Sequence, residues 1–533
     1  MPASHCSQCG APITSSAENP RDSSTNVQVV PKTLARHLQL MSTNAPPETI
    51  ELAFIRTVAE KTRVRLADLE NQMVGLRERV QQLEDEHILL SRYHAQNQAI
   101  ISPLRRMPPE VLGDIFSWTL PSVRDALERL RFDMSHSPWV LAQVCSRWRA
   151  VALSTPSLWS LVVIDYRGKR ANPLSMVKKQ IERAQSLKIR FYGREKGHPR
   201  AQFEMFQLLA EHSPRWEEVF IELTSDTVPL LASVRNLPSL RRLGIQWNVS
   251  DSQAGVESMD CFQAAPSLLD VSVYNEFSSI SIPLPAHQLT RYDLDGPWEV
   301  HQTILKLAVN LVEAHIYVVF NDLPWPDSDE INLLLLRRLF ISHSEILEYL
   351  MAPAIQELAY AVREDEGPDP LLLHLEAFVE RSGCRLRRLC LVGKPTADTA
   401  VGILRRILSV SELGIITDDP NHGQDAPVNV LVSHLTVSPG SAALAPQLSK
   451  IYFGCRAEGC IDYALYLQML QSRWDAGGRT LKAAALLVDS GPHPDPATLR
   501  GLGALRQEGL DFLVLMGEEA ADELRCWIYD SSR

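Results

Sequence analysis

A short unit recurs along the last two thirds of the chain and limits the fold more than any other feature. With φ for an apolar residue, it has the form φ-x-x-φ-x-φ. It reads Trp216-x-x-Val219-x-Ile221, then Leu240-Leu243-Ile245, Leu268-Val271-Val273, Leu289-Tyr292-Leu294 and Leu311-Ala314-Ile316. It continues as Leu336-Leu339-Ile341, Ile355-Leu358-Tyr360, Leu386-Leu389-Leu391, Val410-Leu413-Ile415, Val432-Leu435-Val437 and Leu448-Ile451-Phe453. Further copies are read at Leu158, Ala184, Leu481 and Leu510. The intervals are mostly about 20 to 30 residues, the spacing of stacked solenoid repeats. A single unit cannot bury its apolar side alone, so neighbours must stack to make a core.

The apolar pattern needs support, because the chain is 45% apolar. At that content three apolar matches arise by chance at roughly one position in ten. Two further regularities supply the support. The string Leu-Arg-Arg-Leu stands at 240–243, 336–339 and 386–389. The third position of successive units reads Glu218, Arg242, Asp270, Arg291, Glu313, Arg338, Glu357, Arg388, Glu412, His434, Lys450. Charge sign alternates from Glu218 to Glu412. Parallel strands in register would place these side chains in one row, each between opposite charges. Such cross-strand pairs stabilise modestly, and like charges oppose pairing.

The segments ahead of the repeats differ in kind. Residues 1 to 47 are rich in Ser, Thr, Pro, Ala and Asn and show no sustained apolar period, so they are expected to stay unfolded. Residues 48 to 100 predict a long helix. Its seam runs through Leu52, Ile55, Ala59, Leu66, Leu69, Met73, Leu76, Val80, Leu83 and Leu90, at alternating spacings of three and four. The seam turns polar at His87, His94 and Asn97. This pattern fits homodimerisation through 52–90, and equally one amphipathic helix lying on its own protein.

Residues 101 to 165 predict a small helical segment. Pro108-Pro109 stands where a helix begins, and Glu110 adds negative charge near its positive end. Val111, Leu112, Ile115 and Phe116 form a stripe at helical spacing. A second helix carries Leu141, Val144, Cys145, Trp148, Val151 and Ala152, and Leu158-Trp159 follows.

The segment from Ile101 to Asp165 resembles the F-box, in the form found in fungal F-box proteins with a coiled coil ahead and degenerate leucine-rich repeats behind. The resemblance is carried by Leu104, Met107-Pro108-Pro109-Glu110-Val111-Leu112, Ile115-Phe116, Val144-Cys145, Trp148, Val151-Ala152 and Leu158-Trp159. Met107 stands where the family usually has Leu, and the stretch Ser122 to Ser137 is longer than usual. The resemblance implies an α/β repeat fold: a helical F-box, then a leucine-rich-repeat-like solenoid over 166–533. It also implies a substrate-receptor subunit of a Skp–cullin–F-box ubiquitin ligase that is not itself an enzyme. Leu104, Met107, Pro108, Pro109, Glu110, Val111, Leu112, Ile115 and Phe116 would meet the Skp adaptor. Val144, Cys145, Trp148, Val151, Leu158 and Trp159 would form the F-box core. A protein substrate would meet the concave repeat face at Arg242, Gln246, Asp270, Tyr274, Arg291, Asp295, Glu313, Tyr317, Arg338, Arg388 and Glu412. The other reading is an interaction scaffold that assembles no ligase.

Composition narrows the remaining classes. A formal charge of −11 disfavours general nucleic-acid binding, which draws on clustered Lys and Arg. No long apolar run predicts a membrane span, and the start MPASHCSQCG lacks a secretory pattern. The 9 scattered cysteines suit a reducing compartment, cytoplasm or nucleus. Cys6-x-x-Cys9 resembles half a zinc site, but no second Cys-x-x-Cys exists, so neither metal nor cofactor is expected. Phosphate-loop, dinucleotide and nucleophile-elbow motifs are absent from the sequence. The acidic stretches Glu364-Asp365-Glu366 and Asp418-Asp419 read as solvated turns.

Overall fold

Each unit's paired apolar residues two apart commit it to a strand with one buried face. In the computed structural model these strands form a single parallel sheet. The structure describes residues 31–529, except 121–136, 168–172, 197–198, 276, 322–323, 327–329, 363–369, 419–425, 439–441, 457–460 and 477–478. Cys6, Cys9, the insertion after Ser122, Glu364 to Glu366 and Asp419 therefore lie outside the described residues. The chain divides into two compact units after Met107.

The first unit contains helix α1 (Pro31–Ser42), helix α2 (Thr49–Ile101) and a 3-10 turn, Pro103–Arg105. Helix α1 falls in the stretch that composition assigned no fold. Arg36 on α1 pairs with Glu51 on α2 at 3.1 Å. The Glu51 side chain also accepts from the backbone N–H of Glu48, which fixes the start of α2. No residue of α2 is fully buried.

The second unit opens with helix α3 (Pro109–Trp118), then short helices at Leu141–Val144 and Ser146–Ser154 and a 3-10 turn at Pro156–Trp159. The main sheet follows. Its strands are β1 (Leu161–Asp165), β2 (Leu187–Tyr192), β3 (Trp216–Leu223), β4 (Arg242–Trp247), β5 (Asp270–Tyr274), β6 (Arg291–Gly296) and β7 (Glu313–Val318). A two-residue strand β8 (Ile331–Asn332) pairs with β10 (Leu350–Met351) in a separate small sheet. The main sheet resumes with β9 (Arg338–Ile341), β11 (Glu357–Val362), β12 (Arg388–Gly393) and β13 (Glu412–Thr417). It ends with β14 (Lys450–Cys455), β15 (Ala483–Val488) and β16 (Asp511–Met516). These 14 strands lie side by side in chain order.

Helices return the chain between many of the strands, and neighbouring ones pack on one another. Leu375 and Phe378, Ala400 and Leu404, and Met469 and Leu470 are buried on such helices. Leu243, Ile245 and Trp247 point inward from β4, as do their register partners on neighbouring strands. Side-chain caps start several helices: Asp462 accepts from Ala464 and Leu465, and Asp495 from Ala497 and Thr498.

Three repeat readings change. Val432-Leu435-Val437 is not a strand, because Val432 and Leu435 lie in the helix Pro427–Leu435. Its buried Val428, Leu431, Val432 and Leu435 have helical spacing, and Pro427 suits a first turn. At Leu158 and Leu510 the template is one residue out of phase. Pairing puts Val162, Ile164 and Phe512 inside. A one-residue slip moves every side chain to the other face, and the end units carry apolar residues on both.

Candidate functional site

The face of the sheet opposite the helices presents three rows of side chains. The first row contains the alternating charges. Removing His434 with the misread unit makes the order more regular: Lys188, Glu218, Arg242, Asp270, Arg291, Glu313, Arg338, Glu357, Arg388, Glu412, Lys450. Ion pairs connect the row: Lys188–Glu218 at 2.7 Å, Arg242–Asp270 at 3.5 Å, Arg291–Glu313 at 3.4 Å and Arg338–Glu313 at 3.5 Å. Arg338–Glu357 at 3.6 Å, Arg388–Glu357 at 3.5 Å and Lys450–Glu412 at 3.1 Å continue it. Each carboxylate stands between cations, so the row favours one register over any slip by a single strand.

The third row contains Gln246, Tyr274, Asp295 and Tyr317. All eleven residues expected on the substrate face lie in the first and third rows of this face. The middle row escaped the sequence reading: Arg190, Phe220, Gly244, Ser272, Asp293, His315, Phe340, Ala359, Cys390, Gly414, Tyr452, Ala485. The signal was the unit's free fifth position, which holds Asp293 and His315.

Those two residues centre a buried polar cluster. Tyr274 Oη donates to Asp293 Oδ2 at 3.1 Å. His315 stands 3.6 Å from Asp293 through Nδ1 and 3.2 Å from Glu313 through Nε2. Burial disfavours the His315 cation, but Asp293 and Glu313 outweigh it and raise the imidazole to about 9. Burial and the Asp293 charge raise Tyr274, which stays a hydroxyl donor. The raised imidazole favours the protonated form near neutral pH, with Nε2 facing the Glu313 carboxylate and Nδ1 near that of Asp293.

Beyond β7 the character of the face changes. Phe340, Cys390, Val392, Ile416 and Leu487 form one buried apolar cluster with Ala520 and Leu524 of the C-terminal helix, Glu518–Tyr529. Two residues of the chain's own last helix thus complete the apolar cluster on this half of the face.

Helix α3 presents two apolar stripes. Leu112 and Phe116 are 0% and 1% exposed, and Phe116 packs 4.9 Å from the ring of Trp148. They were expected on the adaptor surface and instead serve the core. Val111, Ile115 and Trp118 form the outer stripe, with Trp118 87% exposed. Pro108, Pro109 and Glu110 are exposed beside them. Leu104 and Met107 belong to the first unit, Leu104 exposed and Met107 half-buried.

Of the six residues assigned to the core of this segment, Val151, Leu158 and Trp159 are buried and Trp148 is half-buried. Val144 and Cys145 are exposed, which corrects their assignment to it. The reason is local: the short helix Leu141–Val144 ends there, and Cys145 Sγ instead accepts the Trp148 N–H at 3.4 Å.

Among the described residues, no group of three or more His, Cys, Asp or Glu is placed to hold a metal ion. No described helix is long and apolar enough to cross a membrane. The chain matches no protein-family model and no curated protein.

Proposed function

We propose that the chain is a substrate receptor of a Skp–cullin–F-box ubiquitin ligase. The observation that carries the reading is α3: after Pro108-Pro109 it buries one stripe and leaves Val111, Ile115 and Trp118 in solvent. An exposed apolar stripe on a short helix suits a partner's groove. The adaptor would bind there and bring the cullin. A protein substrate would meet the open polar rows over β2 to β7. A receptor of this kind works in the cytoplasm or nucleus.

Capture by immobilised Skp adaptor tests the reading. The full chain should be retained, while Val111→Glu with Ile115→Glu should reduce capture at least tenfold. Both positions are exposed, so the helical signal should persist. No capture of either folded protein would favour the scaffold reading. One observation favours that reading: the segment packs onto the first repeat through Trp139, Trp159 and Arg183.

The same proposal includes pairing of α2 with α2 of a second copy. Leu66, Met73, Leu76, Val80, Leu83 and Leu90 are about half exposed along one seam. A parallel pair sets Arg65 beside Glu70 and Arg79 beside Glu84 of the second copy, and no like charges meet at the flanking positions. Light scattering should give twice the chain mass, and Leu69→Lys with Leu76→Lys should give the single mass. A single mass for the unaltered chain at high micromolar concentration would exclude the pair.

A further inference from the structure

The C-terminal helix breaks the pattern of the repeats. The chain leaves β16 through Gly517, whose φ is +63°, and the helix then lies on the face opposite the other repeat helices. Gly517 N–H donates to Val488 O at 2.9 Å, which fixes the turn. On this side the middle and third outward rows are largely apolar and several of their residues are small: Ala359 and Ala361 at the edge of the cluster, and Gly414, Gly454 and Ala485. They leave a trough between Ile416 and Leu487, where Leu524 is seated at 1% exposure. The trough fits this occupant, because a methyl group at Gly454 would collide with Leu524 Cδ2.

Removing the helix would break no rung of the sheet. Strands β11 to β16 pair with one another through their backbones, and their inward residues form a separate core. A helix of 12 residues is marginal alone in water, so this one folds as it docks. Docked segments of this kind open locally at less cost than a sheet.

We infer that the trough over β12 to β15 is a helix-binding groove and that the C-terminal helix is its displaceable intramolecular ligand. The partner that fits is an amphipathic protein helix with a small residue and a leucine four positions apart, as at Ala520 and Leu524. Its docking would displace the chain's own helix. The inference rests on the receptor reading only for the partner being a substrate. The groove itself is tested without the adaptor.

Cys390 is the reporter. It is 5% exposed beneath the helix, and burial pushes its thiol up to about 12. Labelling by N-ethylmaleimide would be followed at the Cys390 peptide by mass spectrometry. In the chain ended at Gly517, labelling should be at least tenfold faster than in the full chain. A synthetic peptide of residues 518–533 should restore protection saturably, and the same peptide with Leu524→Asp should not. In the full chain Gly454→Ala should also speed labelling, and adding Leu524→Ala should reverse it. The inference is overturned if the shortened chain fails to fold, if Cys390 stays protected in it, or if the peptide gives no protection at millimolar concentration.

Discussion

Glu313→Gln should destabilise the repeat unit by about 3 kcal/mol, because it removes one charge from a buried network and leaves its partners behind. Glu313 is 7% exposed. It lies 3.4 Å from Arg291, 3.5 Å from Arg338 and 3.2 Å from His315. Without it three cations crowd one site, with Asp270, Glu357 and Asp293 left on the far sides. The sign of the pH dependence follows from His315. Burial would lower its folded value, but the neighbouring Asp293 and Glu313 carboxylates outweigh burial and raise it to about 9 from an ordinary 6.5. The stabilisation is therefore fully present below about pH 6.5 and is lost as pH rises through about 9. Its size is on the order of 3 kcal/mol. Urea unfolding at pH 6 and pH 9.5 measures both effects. The unaltered chain should lose stability between them, and His315→Gln should remove most of that loss. Equal pH slopes for the two proteins would show that His315 is not held as a cation.

Trp159→Ala should cost about 3 to 5 kcal/mol, the usual penalty for deleting a large buried aromatic side chain. Trp159 is fully buried and meets Trp139 edge-on at 5.0 Å. The Arg183 guanidinium lies 4.4 Å above its ring, and its Nε1–H donates to Ala152 O at 2.8 Å. The loss should be local, because a repeat touches only its neighbours. Hydrogen exchange should show lost protection from Pro109 through β2, with β11 to β16 retained. Unchanged protection around Ser146–Ser154 would mean that Trp159 does not join the helical segment to the repeats.

These two sites differ in how far the sequence disclosed them. The first-row alternation at Arg291, Glu313 and Arg338 is legible without coordinates, because the ladder repeats at one template position. Asp293 and His315 carry no such regularity. Their row also contains Gly244, Phe340 and Cys390, so only the strand register reveals them as one surface. The helical segment shows the same division. The period of α3 marks Val111, Leu112, Ile115 and Phe116 as apolar, but it does not say which pair faces solvent. Packing against Trp148 decides that Leu112 and Phe116 go inside.

The sequence by itself determined the long helix, the short helical segment, most strands and their relative register. Local periodicity and cross-strand charge are written in the order of residues. Tertiary structure alone decided that Val428 to Leu435 is helical and that the end strands are shifted by one. It also decided that the C-terminal helix crosses to the opposite face. In each case an apolar segment could pack on more than one side, and the choice rests on neighbours distant in the chain. For the last helix those neighbours are Gly454, whose lack of a side chain leaves room for Leu524, and the apolar rows of strands β12 to β15.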